Sequence, residues 1–199
     1  MDIYKYKNYD EYIKNQKETT NRKFKGISDT RIYVREFIIK EICEYYKTKV
    51  KFLADSILCH GTRGGREQKF FKKYFKDAEV VGSELFEGCQ DVPMTVIHDF
   101  NKVKEEWIGK FDIVYSNSFD HTITPKETLK VWSDQLTEHG RLCIEWTDDT
   151  NSRNAASDPL AASMKEITEI MNSHEFVLES EVLRGKARHE GTVLVYAKK

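Results

Sequence analysis

Polar residues that could do chemistry recur along this chain just beyond a series of short apolar runs. The first run ends in "CHGTRGGRE", with Gly61, Gly64 and Gly65 interleaved with Thr62, Arg63 and Arg66. Glycines in a strand-to-helix turn allow sharp bending and close backbone approach, and the amides opening the next helix are donors for a ligand. Glu84 stands nineteen residues beyond Gly65. A carboxylate there, at a neighbouring strand tip, can accept the hydroxyls of a ribose. Asp99 and Phe100 follow the next run; the first can accept from an exocyclic amine and the second offers an apolar face to a base. Then comes "SNSFDHT", in which Ser116, Asn117 and Ser118 precede Asp120 and His121. Each feature alone is ordinary: a tight turn, a solvated strand end, a helix cap. In order at successive strand tips, they predict a nucleoside site.

Such tips need strands to carry them. The pattern predicts strands at "SILCH", "AEVVGSEL", "MTVIHDF", "FDIVYSNS" and "GRLCIEW", with helices from Arg66 to Phe75, Pro125 to Leu136 and Leu160 to Asn172. Continuous apolar strands alternating with helices indicate a parallel sheet covered on both faces. The last two strands, "EFVLESEVL" and "GTVLVYAK", have only "RGKARHE" between them, too short for a helical crossover, so they should form an antiparallel hairpin. In such sheets the ligand crevice lies beyond the carboxyl ends of the strands, where their order reverses. Ahead of the sheet, "YDEYIKNQKETTNRKF" reads as a polar helix with Tyr9, Tyr12 and Ile13 on one side. "SDTRIYVREFIIKEICEYY" reads as an amphipathic one, capped by Ser28 or Asp29. The expected organisation is one α/β chain: a helical extension over 1–50 and the sheet domain over 51–199.

Over about residues 50–199 this arrangement resembles the class I S-adenosylmethionine-dependent methyltransferases. Those proteins have a Rossmann-like, mostly parallel seven-stranded sheet with a C-terminal antiparallel hairpin. Their turn usually carries an acid and three alternate glycines; here Cys59 stands at the acid's position, Gly61 and Gly65 match the outer glycines and Arg63 replaces the middle one. The resemblance implies S-adenosylmethionine as cofactor and S-adenosylhomocysteine as product. It implies further that Glu84 takes the ribose hydroxyls and Asp99 the adenine amine, with Leu85 and Phe100 flanking the ring. Ser116, Asn117 and Ser118 would line the methionine side. Arg63 or Arg66 could pair with the methionine carboxylate in a charge-assisted bond, or brace Glu84. The front helix is similar to one that closes over the cofactor in small members of the family.

Methyl transfer to a hydroxyl also needs a base, and His121, oriented or assisted by Asp120, is the expected one; a structural role for "DHT" as a helix cap is the alternative. His60 is expected to pack or hydrogen-bond within the turn. Trp146 either stacks on the acceptor or packs at the rim, and the polar loop "TDDTNSRNAASDP" is a candidate lid.

A chain of 199 residues, 39% hydrophobic and 33% charged with a net charge of −1, gives no global reason to bind nucleic acid or an anionic membrane. The four cysteines have no metal-binding spacing, so a metal is not expected and a cytoplasmic, reducing setting is. "MDIYKYKNYDEY" lacks the apolar block of a signal peptide. The expected acceptor is a small molecule or glycan; no Asn-Pro-Pro-aromatic signature follows the fourth strand to suggest nucleic-acid bases. Two other readings are a nicotinamide-dependent oxidoreductase and a cofactor-binding partner subunit without catalysis. Arg63, the closing hairpin and the lack of a Tyr-x-x-x-Lys pattern argue against the first.

Overall fold

The computed structural model describes residues 1–24, 34–51, 53–147, 154–174, 176–182 and 192–199. In chain order the elements are β1 (Asp2–Ile3), α1 (Tyr9–Lys23), α2 (Glu36–Tyr45), β2 (Ser56–His60), α3 (Arg66–Tyr74), β3 (Glu79–Glu84), β4 (Thr95–Ile97) and β5 (Phe111–Ser116). Then follow α4 (Pro125–Gln135), β6 (Leu136–Trp146), β7 (Leu160–Ala161), α5 (Met164–Ser173), β8 (Phe176–Val182) and β9 (Thr192–Lys198). The expected cap at Ser28 or Asp29 and the link "RGKARHE" lie outside the described residues, as does much of the candidate lid loop.

Seven strands form one sheet in the order β4-β3-β2-β5-β6-β9-β8. From β4 across to β6 every pairing is parallel, while β9 pairs antiparallel with both β6 and β8. The chain starts in the middle at β2, builds outward through β3 and β4, then returns to β5 on the other side. The order therefore reverses between β2 and β5. Register sets His60 opposite both Ser83 and Ser116, so the tips of three strands meet there.

Period-two alternation divides the strand residues between two cores. Leu58, Val114, Leu142, Ile144, Leu194 and Tyr196 face one side and pack with α4 and α5 residues such as Leu129, Trp132 and Ile167. Ile57, Cys59, Ile113, Tyr115, Cys143, Val193 and Val195 face the other, against Ile38, Ile39 and Ile42 of α2 and Phe71 of α3. All four cysteines are free and buried.

Strand bounds shift from the sequence pattern, with β4 shorter than "MTVIHDF" and β6 starting at Leu136 ahead of "GRLCIEW", and one helix start changes element type. The apolar "LAAS" stretch looks like a helix start at Leu160, but Leu160–Ala161 pair with Asp2–Ile3 instead. The helix begins at Met164, because Ser163 and Glu166 form a reciprocal capping box there. Among the described residues no helix is long and apolar enough to cross a membrane.

Candidate functional site

The turn after β2 is built around backbone that only a small residue tolerates well. Gly61 has φ +73°, and a Cβ there would lie 2.6 Å from the Ser118 Cβ. Gly65 (φ +69°) is the N-cap of α3, its absent Cβ replaced by Val92 Cγ1. Arg63 adopts φ +39° without being glycine. In that conformation its amide donates to Glu84 Oε2 at 2.9 Å, so its main chain braces the carboxylate at the tip of β3. Thr62 is buried and its Oγ1 accepts from Gln68 Nε2 at 3.1 Å. Nothing lies within 4 Å of the position a Gly64 Cβ would take.

Glu84, only 7% exposed, is held from both sides: Oε1 accepts from the amides of Leu85 (2.8 Å) and Phe86 (3.3 Å). A carboxylate offers about four acceptor positions, so one remains for a ligand. Asp99 is arranged similarly. Its Oδ1 accepts from Asn101 N (3.0 Å) and Nδ2 (2.9 Å), and Oδ2 accepts from the Tyr9 hydroxyl of α1. Burial and the adjoining Asp99 push the Tyr9 phenol well above its usual pKa, so it stays a donor. Behind them Asn101 Nδ2 donates to the Tyr12 hydroxyl at 2.9 Å, and Asn101 Oδ1 accepts from Thr122 and Thr128.

His121 lies in a short 3₁₀ turn (Phe119–His121) beyond β5. Its Nδ1 is 2.8 Å from Gln16 Oε1. The Gln16 Nε2 faces the carbonyls of Ala156 (3.2 Å) and Ser157 (3.4 Å), which can only accept. That fixes the amide orientation, makes Oε1 the acceptor and requires a proton on Nδ1. Nε2 of His121 is then the nitrogen without a proton, with Asp158 Oδ1 at 3.4 Å and Asp120 Oδ1 at 3.9 Å from it.

Two adjoining cavities occupy this space. The larger, about 180 Å³, lies against the glycine turn, with Asn117, Asp120 and Asp158 around it. The smaller, about 50 Å³, lies among Glu84, Leu85, Asp99, Phe100 and the α1 residues Tyr12 and Gln16. Gly61, Arg63, Ser118 and His121 belong to both. Arg66 and Thr62 face the larger one. The predicted residues are therefore gathered in one place, apart from two. Gly65 serves the helix cap, and Ser116 is fully buried, donating to the His60 carbonyl (3.2 Å) while it accepts from Ser118 N (3.0 Å).

His60 packs within the turn as expected, stacked on Trp132 at 4.8 Å and bridging Ser83 Oγ (2.7 Å) and Gln135 Oε1 (2.9 Å). Burial pushes its pKa down to about 3, so it is neutral at physiological pH. Trp146 does not reach an acceptor: it is 2% exposed, and its Nε1 donates to the Ala162 carbonyl at 3.1 Å. Gln16, Glu67 and Asp158 also border these cavities, and the sequence pattern did not single them out. Gln16 could have been found from its position one helical turn beyond Tyr12.

No family model matches the sequence, and no curated protein matches it. The architecture is another matter. A Burkholderia thailandensis 1,6-didemethyltoxoflavin-N1-methyltransferase, solved with 1,6-didemethyltoxoflavin and S-adenosylhomocysteine, superposes with TM-score 0.73 at 17% identity, covering 98% of this chain and 92% of that one. The chain has the class I methyltransferase fold. The magnesium protoporphyrin IX methyltransferase of Synechocystis, solved with S-adenosylmethionine, is similar with TM-score 0.66 at 12% identity, over 98% of this chain and 100% of that. The N-methyltransferase NodS of Bradyrhizobium japonicum, bound to S-adenosylhomocysteine, gives TM-score 0.66 at 11% identity, over 92% and 97%.

Proposed function

We propose that this protein is an S-adenosylmethionine-dependent methyltransferase acting on a small-molecule acceptor. One observation carries the reading: the glycine turn, Glu84 and Asp99, from three separate peptides, border two adjoining cavities with shared walls where the strand order reverses. The solved proteins of the same fold are crystallised with S-adenosylmethionine or S-adenosylhomocysteine, which supports the same cofactor here.

The residues present fit an adenosyl group. Glu84 and Asp99 are each braced by protein donors and each keeps an acceptor position, Glu84 for a ribose hydroxyl and Asp99 for the adenine amine. Leu85 and Phe100 give the apolar walls a base needs. The open space beside Gly64 leaves the turn accessible to the amino-acid tail, with Arg63 and Arg66 as cations on that side and Asn117 and Ser118 facing them.

When bound, S-adenosylmethionine supplies an electrophilic methyl carbon for in-line displacement. The chain's own part is to orient the acceptor and take its proton. His121 suits the second task because Gln16 holds the proton on Nδ1 and leaves Nε2 as the base, with Asp158 and Asp120 at 3.4 and 3.9 Å from that nitrogen. The acceptor atom would then be a hydroxyl or another group that must be deprotonated. The α1 helix, through Tyr9, Tyr12 and Gln16, closes the adenosyl side and keeps water out.

Titration calorimetry with S-adenosylhomocysteine tests the cofactor reading. Wild-type protein should bind it, and Glu84→Ala should weaken binding by about tenfold or more, the worth of a hydrogen bond to a charged group. No binding by the wild type, or an unaltered Glu84→Ala, refutes it.

A further inference from the structure

The wall of the larger cavity contains a carboxyl that the function above does not use. Glu67 is the second residue of α3, 5% exposed, and its Oε2 is buried with no hydrogen-bond partner. Leaving a buried polar atom unsatisfied costs about 1–3 kcal/mol, more if it is charged. Such an atom in a native fold calls for a ligand or a proton. We propose that Glu67 is the cation-binding residue of this site, its carboxyl receiving the α-ammonium of the amino-acid tail of the bound nucleoside. The proposal rests on the adenosyl reading of the same cavities.

The surroundings decide the kind of ligand. An α-amino acid is a zwitterion, and a wall that recognises one must offer a cation and an anion close together. Arg63 and Arg66 provide the cations and Glu67 the anion, all three facing the cavity beside the glycine turn. The strand beneath supplies no acid: it ends in Cys59 and His60, and burial raises the Cys59 thiol, with the neighbouring Glu67 raising it further. Glu145, half-buried at the end of β6, accepts from the Tyr115 hydroxyl at 2.8 Å and does not border the cavity. Asp120 and Asp158 border the same cavity but face His121 Nε2, at 3.9 and 3.4 Å, whereas Glu67 brings to that wall a buried oxygen with no hydrogen-bond partner.

Its protonation follows the same logic. Burial first, with Glu145 and Glu84 adding to it against the opposing Arg63, pushes Glu67 up to about 8, so without a cation it is mostly neutral at pH 7. An ammonium beside it favours the carboxylate, and the proton leaves to solvent as the cation binds. The O–H bond of the carboxyl breaks, the ammonium keeps its own protons, and no other reactant is needed.

The test compares S-adenosylhomocysteine, which has the ammonium, with 5′-methylthioadenosine, which lacks the whole tail, on wild type and Glu67→Gln. Calorimetry at pH 7 in two buffers of different ionisation enthalpy gives affinity and proton release together. The expected result is a loss of about ten- to a hundredfold in S-adenosylhomocysteine affinity for Glu67→Gln, with 5′-methylthioadenosine within about twofold of wild type. Wild type should release close to one proton on binding S-adenosylhomocysteine and the variant none. The variant should melt no lower than wild type, because the buried Oε2 it replaces makes no hydrogen bond. Wild type that binds both nucleosides while Glu67→Gln binds S-adenosylhomocysteine equally well overturns the role of Glu67 alone. Wild type that binds neither overturns the adenosyl reading and this inference with it.

Discussion

The contact between Gly61 and Ser118 allows a quantitative test of how the turn is built. Gly61→Ala adds a Cβ in two unfavourable ways. The left-handed φ of +73° costs an alanine about 1–2 kcal/mol. Independently, the new carbon would meet the Ser118 Cβ at 2.6 Å and Oγ at 2.7 Å. The hydroxyl can rotate away but the Cβ cannot, so one peptide must shift, at about 1–3 kcal/mol by analogy with overpacked cores. The single substitution should thus cost about 2–5 kcal/mol, a large fraction of the stability of a domain this size. Ser118→Gly removes the obstacle while leaving φ unchanged, so Gly61→Ala/Ser118→Gly should recover the steric part and retain the dihedral part. Urea unfolding of the four proteins gives the coupling directly, expected at about 1–3 kcal/mol in the favourable direction. Additivity within about 0.5 kcal/mol would show that the two peptides do not touch as described, and the joining of the two strand tips would lose its basis.

His121→Ala should retain S-adenosylhomocysteine binding while turnover falls by about two to four orders of magnitude; unchanged turnover with the true acceptor removes His121 from the mechanism. Gln16→Leu takes away the acceptor that fixes Nδ1–H, so ¹⁵N shifts of the His121 ring should change from one tautomer to a mixture and turnover should fall about tenfold. A single unchanged tautomer in that variant would contradict the assignment. His60 gives a pH prediction. Its folded pKa of about 3 lies below the ordinary 6.5, so the unfolded chain binds the extra proton first as pH falls. Stability from this residue is therefore intact above pH 6.5 and lost progressively from there down to about 3. The His60 ring resonances should stay those of neutral imidazole to below pH 4, and titration near 6.5 would mean that the ring is not buried as described.

The strands were legible because parallel strands covered on both faces read as unbroken apolar runs. "SILCH" carries its own boundaries, while "FDIVYSNS" overruns the strand end at Ser116 by two residues. The carboxylates at their tips were legible because the position of a strand end fixes where the next side chain stands, as at Glu84 and Asp99. What stayed hidden depends on distant pairing. Leu160 and Ala161 have the composition of a helix start and become a strand only because Asp2 and Ile3 lie alongside. Gln16 and Glu67 look like the solvated face of a charged helix; tertiary contacts bury them, and nothing in their local pattern says so. Ser116 fails in the opposite direction. Its place among small polar residues suggests a ligand contact, yet the close approach of β5 to β2 spends its hydroxyl on the His60 carbonyl.

The difference in how the two halves are held bears on access to the site. The sheet rests on two aliphatic and aromatic cores, one on each face. The α1 helix instead buries Tyr12, Gln16 and Thr19 and is pinned through Tyr9–Asp99, Tyr12–Asn101 and Gln16–His121. Hydrogen bonds that water can replace contribute only about 0.5–1.5 kcal/mol each, so lifting the helix costs a few kcal/mol while opening a core costs the fold. Segments that must admit a ligand belong to this low-stability class. The same side chains that pin α1 also hold Asp99 and set the His121 tautomer. A displaced helix would therefore leave Asp99 without its Tyr9 donor and His121 without the acceptor that fixes its Nδ1 proton. If the proposed function holds, covering the nucleoside and preparing His121 are one set of hydrogen bonds, and a substitution in α1 should register in both cofactor affinity and turnover.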